Sequence, residues 1–268
     1  MADTDLQTLM EQVQAHKKYS QIHPDLVQRL SQLALDQGLS GKTAMKTVRS
    51  KLHQVGGAYF RQNIPYEDHT QTLRSLPEDI SSRPLRAFCR EVMAAHASTA
   101  ERLPILDTFF HTCLASLAPV ESILDLACGL TPLSIPWMPL APDATYLACD
   151  IYLDLLAFVQ RFFDAVGLQG VTQPCDLVTQ IPEQPVQVAL LLKALPCLEQ
   201  LDKEIGLSLL QKIPCSHILV SFPVRSLGGR KVGMPDHYQE HFLAMVRDMP
   251  WAITSFSFQT ELAFLVEK

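Results

Sequence analysis

Residues 124–130 read Leu124-Asp125-Leu126-Ala127-Cys128-Gly129-Leu130, the tail of an apolar run that starts at Ser122 and stops at a glycine. A short apolar run bounded by a turn residue reads as a buried strand. A glycine directly after it lets backbone approach a ligand that any Cβ would obstruct. In open α/β sheets, ligands sit beyond the carboxyl ends of the strands. The next apolar run, Thr145 to Cys149, closes on Asp150, 21 residues after Gly129. A carboxylate there can bind the hydroxyls of a ribose or cap the following helix, and both readings stand. The G-x-G-x-x-G dinucleotide fingerprint and the P-loop are both absent from the chain, so nothing is built to cradle a pyrophosphate or triphosphate. A ligand with a ribose, an adenine and no pyrophosphate points to S-adenosyl-L-methionine.

Outward from this stretch, strands and helices alternate. Gln187 to Leu192 and His217 to Phe222 read as further core strands, and Ile253 to Phe258 with Glu261 to Val266 as a terminal hairpin. Leu153 to Val166 and Leu201 to Lys212 read as helices between them. This alternation predicts an α/β fold, a parallel sheet with helices on both faces. Upstream, Pro84 opens a helix with Leu85, Phe88 and Val92 inward, and Ser98 with Glu101 reads as a capping box for a helix running through Leu117. The first 60 residues read as a small helical bundle. Leu26, Leu30 and Leu33 follow His23-Pro24-Asp25 at helical spacing, and Ser40 precedes a helix in which Met45, Val48 and Leu52 share one side. Lys42, Lys46 and Arg49 form a basic stripe beside that apolar side. The division predicted is an N-terminal helical domain over 1–76, a helical linker region over 77–118 and a Rossmann-like domain over 119–268.

The net charge of −6 is unevenly spread. His16 to Gln62 carries eight basic residues against Asp25 and Asp36, a local +6, so the rest of the chain stands at −12. Such asymmetry suits an RNA-facing module on an acidic body; a solvated helical face is the plainer alternative. The seven cysteines form no C-x-x-C pair and sit mostly in apolar runs, the usage of reduced thiols in a cytoplasm. No metal site, no membrane segment and a monomer are expected.

Four stretches carry a further signal: His96-Ala97-Ser98-Thr99 with Glu101-Arg102-Leu103; Ala127-Cys128-Gly129-Leu130 with Pro132-Leu133; Leu192-Lys193 with Leu195-Pro196; and Ser221-Phe222-Pro223 followed by Arg225-Ser226-Leu227-Gly228-Gly229-Arg230, extended by Lys231, Gly233 and Met234. Together they resemble the aminoglycoside-resistance 16S rRNA methyltransferases of the Arm/Rmt type, which methylate N7 of guanine 1405. Lys17-Lys18-Tyr19 is similar to the family's first helix, and Thr131-Pro132-Leu133 stands where the usual member has Asn-Pro-Leu. The resemblance implies a class I S-adenosylmethionine-dependent methyltransferase with a mostly parallel seven-stranded sheet, acting on 16S rRNA in the 30S subunit and conferring aminoglycoside resistance. It implies that Arg102 pairs with the methionine carboxylate, Gly129 lies against the same moiety, Asp150 holds the ribose, and Asp176 with Leu177 flanks the adenine. Lys193 would lie near the methyl-transfer site, and Arg230 and Met234 would seat the target nucleotide. Lys17, Lys18, Lys42, Lys46, Arg49, Arg225 and Lys231 would meet RNA. The plainer readings are a turn residue for Asp176, packing for Met234, a helix-surface charge for Arg102 and a solvated loop around Arg230.

The inventory suits that chemistry. Guanine N7 carries a free lone pair and loses no proton on methylation, so a general base is unnecessary and positioning dominates. N7 of a paired guanine lies in the deep groove of A-form RNA, which side chains do not enter, so flipping or distortion of the target is expected. The competing readings are a methyltransferase for another RNA or a small molecule, and a ribosome-binding homologue without activity.

Overall fold

A computed structural model describes residues 2–57, 59–60, 63–224 and 234–268. Arg225, Arg230 and Lys231 lie outside the described residues. The backbone of Met234 is described as the first residue of a helix, and its side chain is not.

The chain begins with α1 (Ala2–Gln14), α2 (Pro24–Asp36) and α3 (Gly41–Leu52). Pro24 opens α2, where a missing N–H costs nothing, and Gly38 follows it at φ +77°, where glycine is favoured. The end of α3 runs into one wider turn, His53–Gly57. Then come α4 (Tyr66–Leu73), α5 (Arg83–Met93), α6 (Ala97–Arg102) and α7 (Leu106–Cys113). The predicted long helix from Ser98 to Leu117 is broken: 3₁₀ turns at Leu103–Ile105 and Ala115–Leu117 interrupt it, the first at Pro104. The capping box does not form. His96 precedes α6, and Ser98 and Glu101 sit within it, their polar groups turned to Lys193.

The second half contains β1 (Val120–Leu126), β2 (Leu140–Asp150), α8 (Leu153–Ala165), β3 (Gln169–Pro174), β4 (Val186–Leu192), α9 (Leu195–Glu199), α10 (Ile205–Lys212), β5 (Cys215–Pro223), α11 (Met234–Val246), β6 (Ala252–Ser257) and β7 (Glu261–Glu267). The sheet has seven strands in the order β3-β2-β1-β4-β5-β7-β6. β7 runs antiparallel to β5 and β6; the other pairs are parallel. This is the α/β architecture that strand–helix alternation predicted, with the mostly parallel seven-stranded sheet that the family resemblance implied. β3 and α11 were not read from the sequence, and the predicted helix from Leu201 begins only at Ile205.

Successive strand residues serve opposite faces. Ile123, Tyr146, Val188 and Leu190 join one apolar cluster, while Leu124, Leu147, Ala189 and Leu191 join another. The second is closed by α9, α10 and α11 through Leu195, Leu209 and Phe242. The first contains Phe158 of α8 and Phe109 of α7, and it also contains Leu9, Leu26 and Val48 from the first three helices. The N-terminal helices therefore share a core with one face of the sheet. Main-chain contacts tie them down further: isolated bridges pair Ile22 with Tyr152 and Phe60 with His96.

Candidate active site

β1 and β4 are neighbours, and each is followed directly by a non-glycine residue in the left-handed region: Ala127 at φ +52° and Lys193 at φ +59°. Such a conformation costs roughly 1–2 kcal/mol per residue, and strain of this kind gathers at functional sites. The two turns open the sheet at its carboxyl edge. There a cleft opens between the strand tips, with about 820 Å³ of non-atom space that includes open solvent. Gly129, Asp150, Asp176, Leu177 and Lys193, all singled out from sequence, line it together.

Gly129 stands at φ +49°, and a Cβ there would come within 3.0 Å of the His96 ring. Its N–H donates to Asp150 Oδ2 at 2.8 Å. Asp150 Oδ1 accepts from the N–H groups of Ile151 and Tyr152 at 2.7 and 3.2 Å. Burial pushes this carboxyl above its usual range, and the three N–H donors oppose that. A carboxylate offers about four acceptor positions, so the geometry leaves room for roughly one ligand hydroxyl in addition. Asp150 does not use its side chain to cap α8, whose N-terminal neighbour is Tyr152 with no side-chain cap.

Asp176 is held differently. Arg29 of α2 donates Nε to its Oδ2 at 2.6 Å and Nη2 to its Oδ1 at 3.1 Å. The N-terminal bundle thus fixes a wall of the cleft, a partnership that the sequence reading did not find.

Lys193 is 3% exposed, and an unpaired ammonium so buried would be very costly. It has partners: Nζ donates to Ser98 O at 2.9 Å and lies 3.1 Å from Glu101 Oε2 and 3.2 Å from Glu261 Oε2. Glu261 was missed from sequence. It is fully buried at the start of β7, accepts from Ser221 Oγ at 2.6 Å and binds Arg102 Nη2 at 2.7 Å. Burial pushes the Glu261 carboxyl up, but Arg102 and Lys193 outweigh it and hold the group below the usual range. The Arg102 guanidinium, for which the resemblance implied a ligand carboxylate as partner, is 1% exposed, engaged by Glu261 and stacked over Phe109 at 4.9 Å. It lies behind the cleft wall, and Thr131 Oγ1 accepts from it at 3.4 Å.

An aromatic group forms another wall. Tyr59 stacks on His96 at 5.9 Å, and Phe60 meets His96 and Tyr152 edge-on at 5.3 and 4.8 Å. Tyr59 Oη and Cys197 Sγ lie 2.7 Å apart. Of these rings only His96 belongs to a stretch singled out in the sequence.

The basic residues divide. Lys17, Lys18, Lys42 and Lys46 are exposed, with the Lys18 ammonium 2.9 Å from His53 Nδ1. Arg49 departs from the predicted stripe. It donates to Gln12 O at 2.6 Å and lies over the Tyr19 ring, joining α3 to the first helix. Among the described residues no cluster of His, Cys, Asp or Glu could hold a metal, and no helix is long and apolar enough to cross a membrane.

The family model described as "Ribosomal RNA methyltransferase (FmrO)" matches residues 15–265. The chain belongs to this rRNA methyltransferase family. It is similar to the 16S rRNA (guanine(1405)-N(7))-methyltransferase of Micromonospora echinospora, with 32% identity over 94% of this chain and 93% of the relative. A protein of the same name from Frankia casuarinae is 32% identical over 96% of this chain and 92% of its own length. Among solved structures, the 16S rRNA methyltransferase RmtF in complex with S-adenosyl-L-homocysteine superposes at a TM-score of 0.82, with 29% identity and 98% of each chain covered. This family member therefore has the fold of S-adenosylmethionine-dependent enzymes, and its cleft suits that cofactor: a strand-end carboxylate with acceptor capacity left, a glycine that keeps the backbone bare, and a largely apolar lining.

Proposed function

We propose that this chain transfers the methyl group of S-adenosylmethionine to N7 of guanine 1405 of 16S rRNA in the assembled 30S subunit, as a cytoplasmic monomer. The observation that carries the reading is the cleft at the tips of β1, β2 and β4, where Gly129, Asp150, Asp176 and Lys193 converge, in a chain whose first helical region exposes Lys17, Lys18, Lys42 and Lys46. Near-full-length similarity to proteins named for this modification supports it.

When bound, S-adenosylmethionine supplies an electrophilic methyl on a sulfonium, whose departure leaves a neutral thioether. Asp150 would accept a ribose hydroxyl while its other positions stay on backbone N–H groups. Asp176 and Leu177 would flank the adenine, with Arg29 fixing the Asp176 carboxylate. Gly129 would lie along the methionine portion. Lys193, held by Glu101 and Glu261, would present its end of the cleft to the reacting groups. Arg230 and Met234 would seat the guanine. No proton has to leave N7, so the residues position and exclude water rather than act as a base. The division of labour follows the chain: residues 1–76 dock on rRNA through Lys17, Lys18, Lys42 and Lys46, residues 77–118 contribute α6 to the cleft, and residues 119–268 hold the cofactor. Arg225 and Lys231 would add phosphate contacts. Arg49 serves this surface indirectly, by fixing α3.

The test is a modification map. Intact 30S subunits are incubated with protein and cofactor, treated with borohydride and aniline, and read by primer extension. A stop adjacent to guanine 1405 is expected. Unmodified 16S rRNA, or a stop elsewhere, overturns the assignment. Expression in an aminoglycoside-susceptible bacterium should raise the inhibitory concentration of the drugs in parallel.

A further inference from the structure

Glu261 touches both cations of the site. Its Oε1 lies 2.7 Å from Arg102 Nη2 and its Oε2 lies 3.2 Å from Lys193 Nζ. Glu101 approaches Lys193 from the other side, at 3.1 Å, with a side chain 24% exposed. Two cations and two anions therefore cancel. The cancellation matters because these groups are buried, where charges are weakly screened. Lys193 forms part of the cleft wall and Arg102 with Glu261 lies behind it.

The two ligands of a methyl transfer differ in charge. The donor carries a sulfonium and the product a neutral thioether, and the rest of each molecule is the same. A wall with unbalanced positive charge would repel the donor and leave the product untouched, which stalls turnover in the product complex. We propose that Glu261 is a positioning residue that neutralises Arg102 and Lys193, so that the cleft admits the sulfonium cofactor without electrostatic discrimination in favour of the product. This rests on the methyl-donor reading of the cleft.

Calorimetry on the full chain tests it, with S-adenosylmethionine and S-adenosylhomocysteine titrated separately. Glu261→Gln keeps size and one acceptor oxygen, replaces the other with a donor NH2, and removes one negative charge. The ratio of the donor Kd to the product Kd should rise by roughly three- to tenfold, the size of one partly screened unit charge. Adding Lys193→Met restores neutrality, and the ratio should return toward the wild-type value even if both affinities fall. Equal weakening of the two ligands by Glu261→Gln, with the ratio unchanged, overturns the proposal and assigns Glu261 a packing role. If Glu261→Gln does not fold, Glu101→Gln makes the same charge change at the half-open side. A rise in the ratio there supports the proposal and an unchanged ratio overturns it. Wild-type protein that binds neither ligand would instead sink the methyl-donor reading, a result separate from either outcome above.

Discussion

Two carboxylates on neighbouring strands show how burial and donors divide the work. Asp150, at the tip of β2, faces the cleft with three N–H groups on it. Asp150→Ala should weaken S-adenosylmethionine binding by about 1–3 kcal/mol, because it removes an acceptor from buried donors on both sides. Calorimetry that finds wild-type affinity would remove Asp150 from the ribose site. Asp125, one strand over, is 1% exposed and takes a single hydrogen bond, from Tyr146 Oη at 2.7 Å. Burial lifts it to about 7, with the Tyr146 hydroxyl and Arg102 pulling the other way. Its pKa in the folded chain thus lies above the unfolded value of 3.8. The protonated form favours the fold, so its contribution is complete below about pH 4 and is lost as pH climbs through about 7. Denaturant titrations should show this contribution falling between about pH 4 and 7 and levelling off above, by on the order of a few kcal/mol. In Asp125→Asn that part of the slope should vanish. An unchanged pH profile would mean that Asp125 is ionised at neutral pH.

At the scale of elements, α3 separates exposed cations from a packed one. Lys42 and Lys46 are exposed, whereas Arg49, one turn on, ties α3 to Gln12. Lys42→Glu with Lys46→Glu should leave cofactor binding intact, weaken 30S binding and flatten its salt dependence, since every phosphate no longer neutralised takes about one unit off the slope. Filter binding across a salt series reads this; an unchanged slope places the rRNA on another face. Helical spacing alone put all three basic residues on one stripe, but it does not report which of them a neighbouring helix captures. The central strands were legible because parallel strands buried on both faces are nearly continuous apolar runs, as in Val188 to Leu192. β3 was not: Gln169 to Pro174 is an edge strand with a single large apolar residue, Val171, which is 60% exposed. Glu261 was equally invisible. A lone glutamate at a strand start looks like a solvent residue until the fold brings Arg102 from 159 positions away. The glycine after β1 and the aspartate that ends β2 were readable because their places are set by strand ends, which the pattern locates.

For the molecule as a whole, the decisive bond is Arg29 to Asp176, which joins a helix of the first 76 residues to the cleft. Arg29 is 19% exposed and Asp176 4%. Arg29→Met would strand a buried carboxylate, at a cost of roughly 1–3 kcal/mol once partial exposure of the arginine is discounted from the buried-pair range. Thermal melts should show the loss, and cofactor affinity should fall with it. Full retention of both would make the pair incidental.

The seam between the amino-terminal helices and the sheet has a consequence for engineering. Leu9, Leu26 and Val48 pack into the cluster that holds Phe158, and Ile22 is bonded edge-to-edge with Tyr152. The first helices and the sheet are therefore not interchangeable cassettes. A fragment starting at residue 77 should precipitate or stay partly unfolded, with light scattering and dye binding as the readouts. Transplanting the corresponding helices from a relative should succeed only when the grafted surface carries along its counterparts for Tyr152, Phe158 and Asp176.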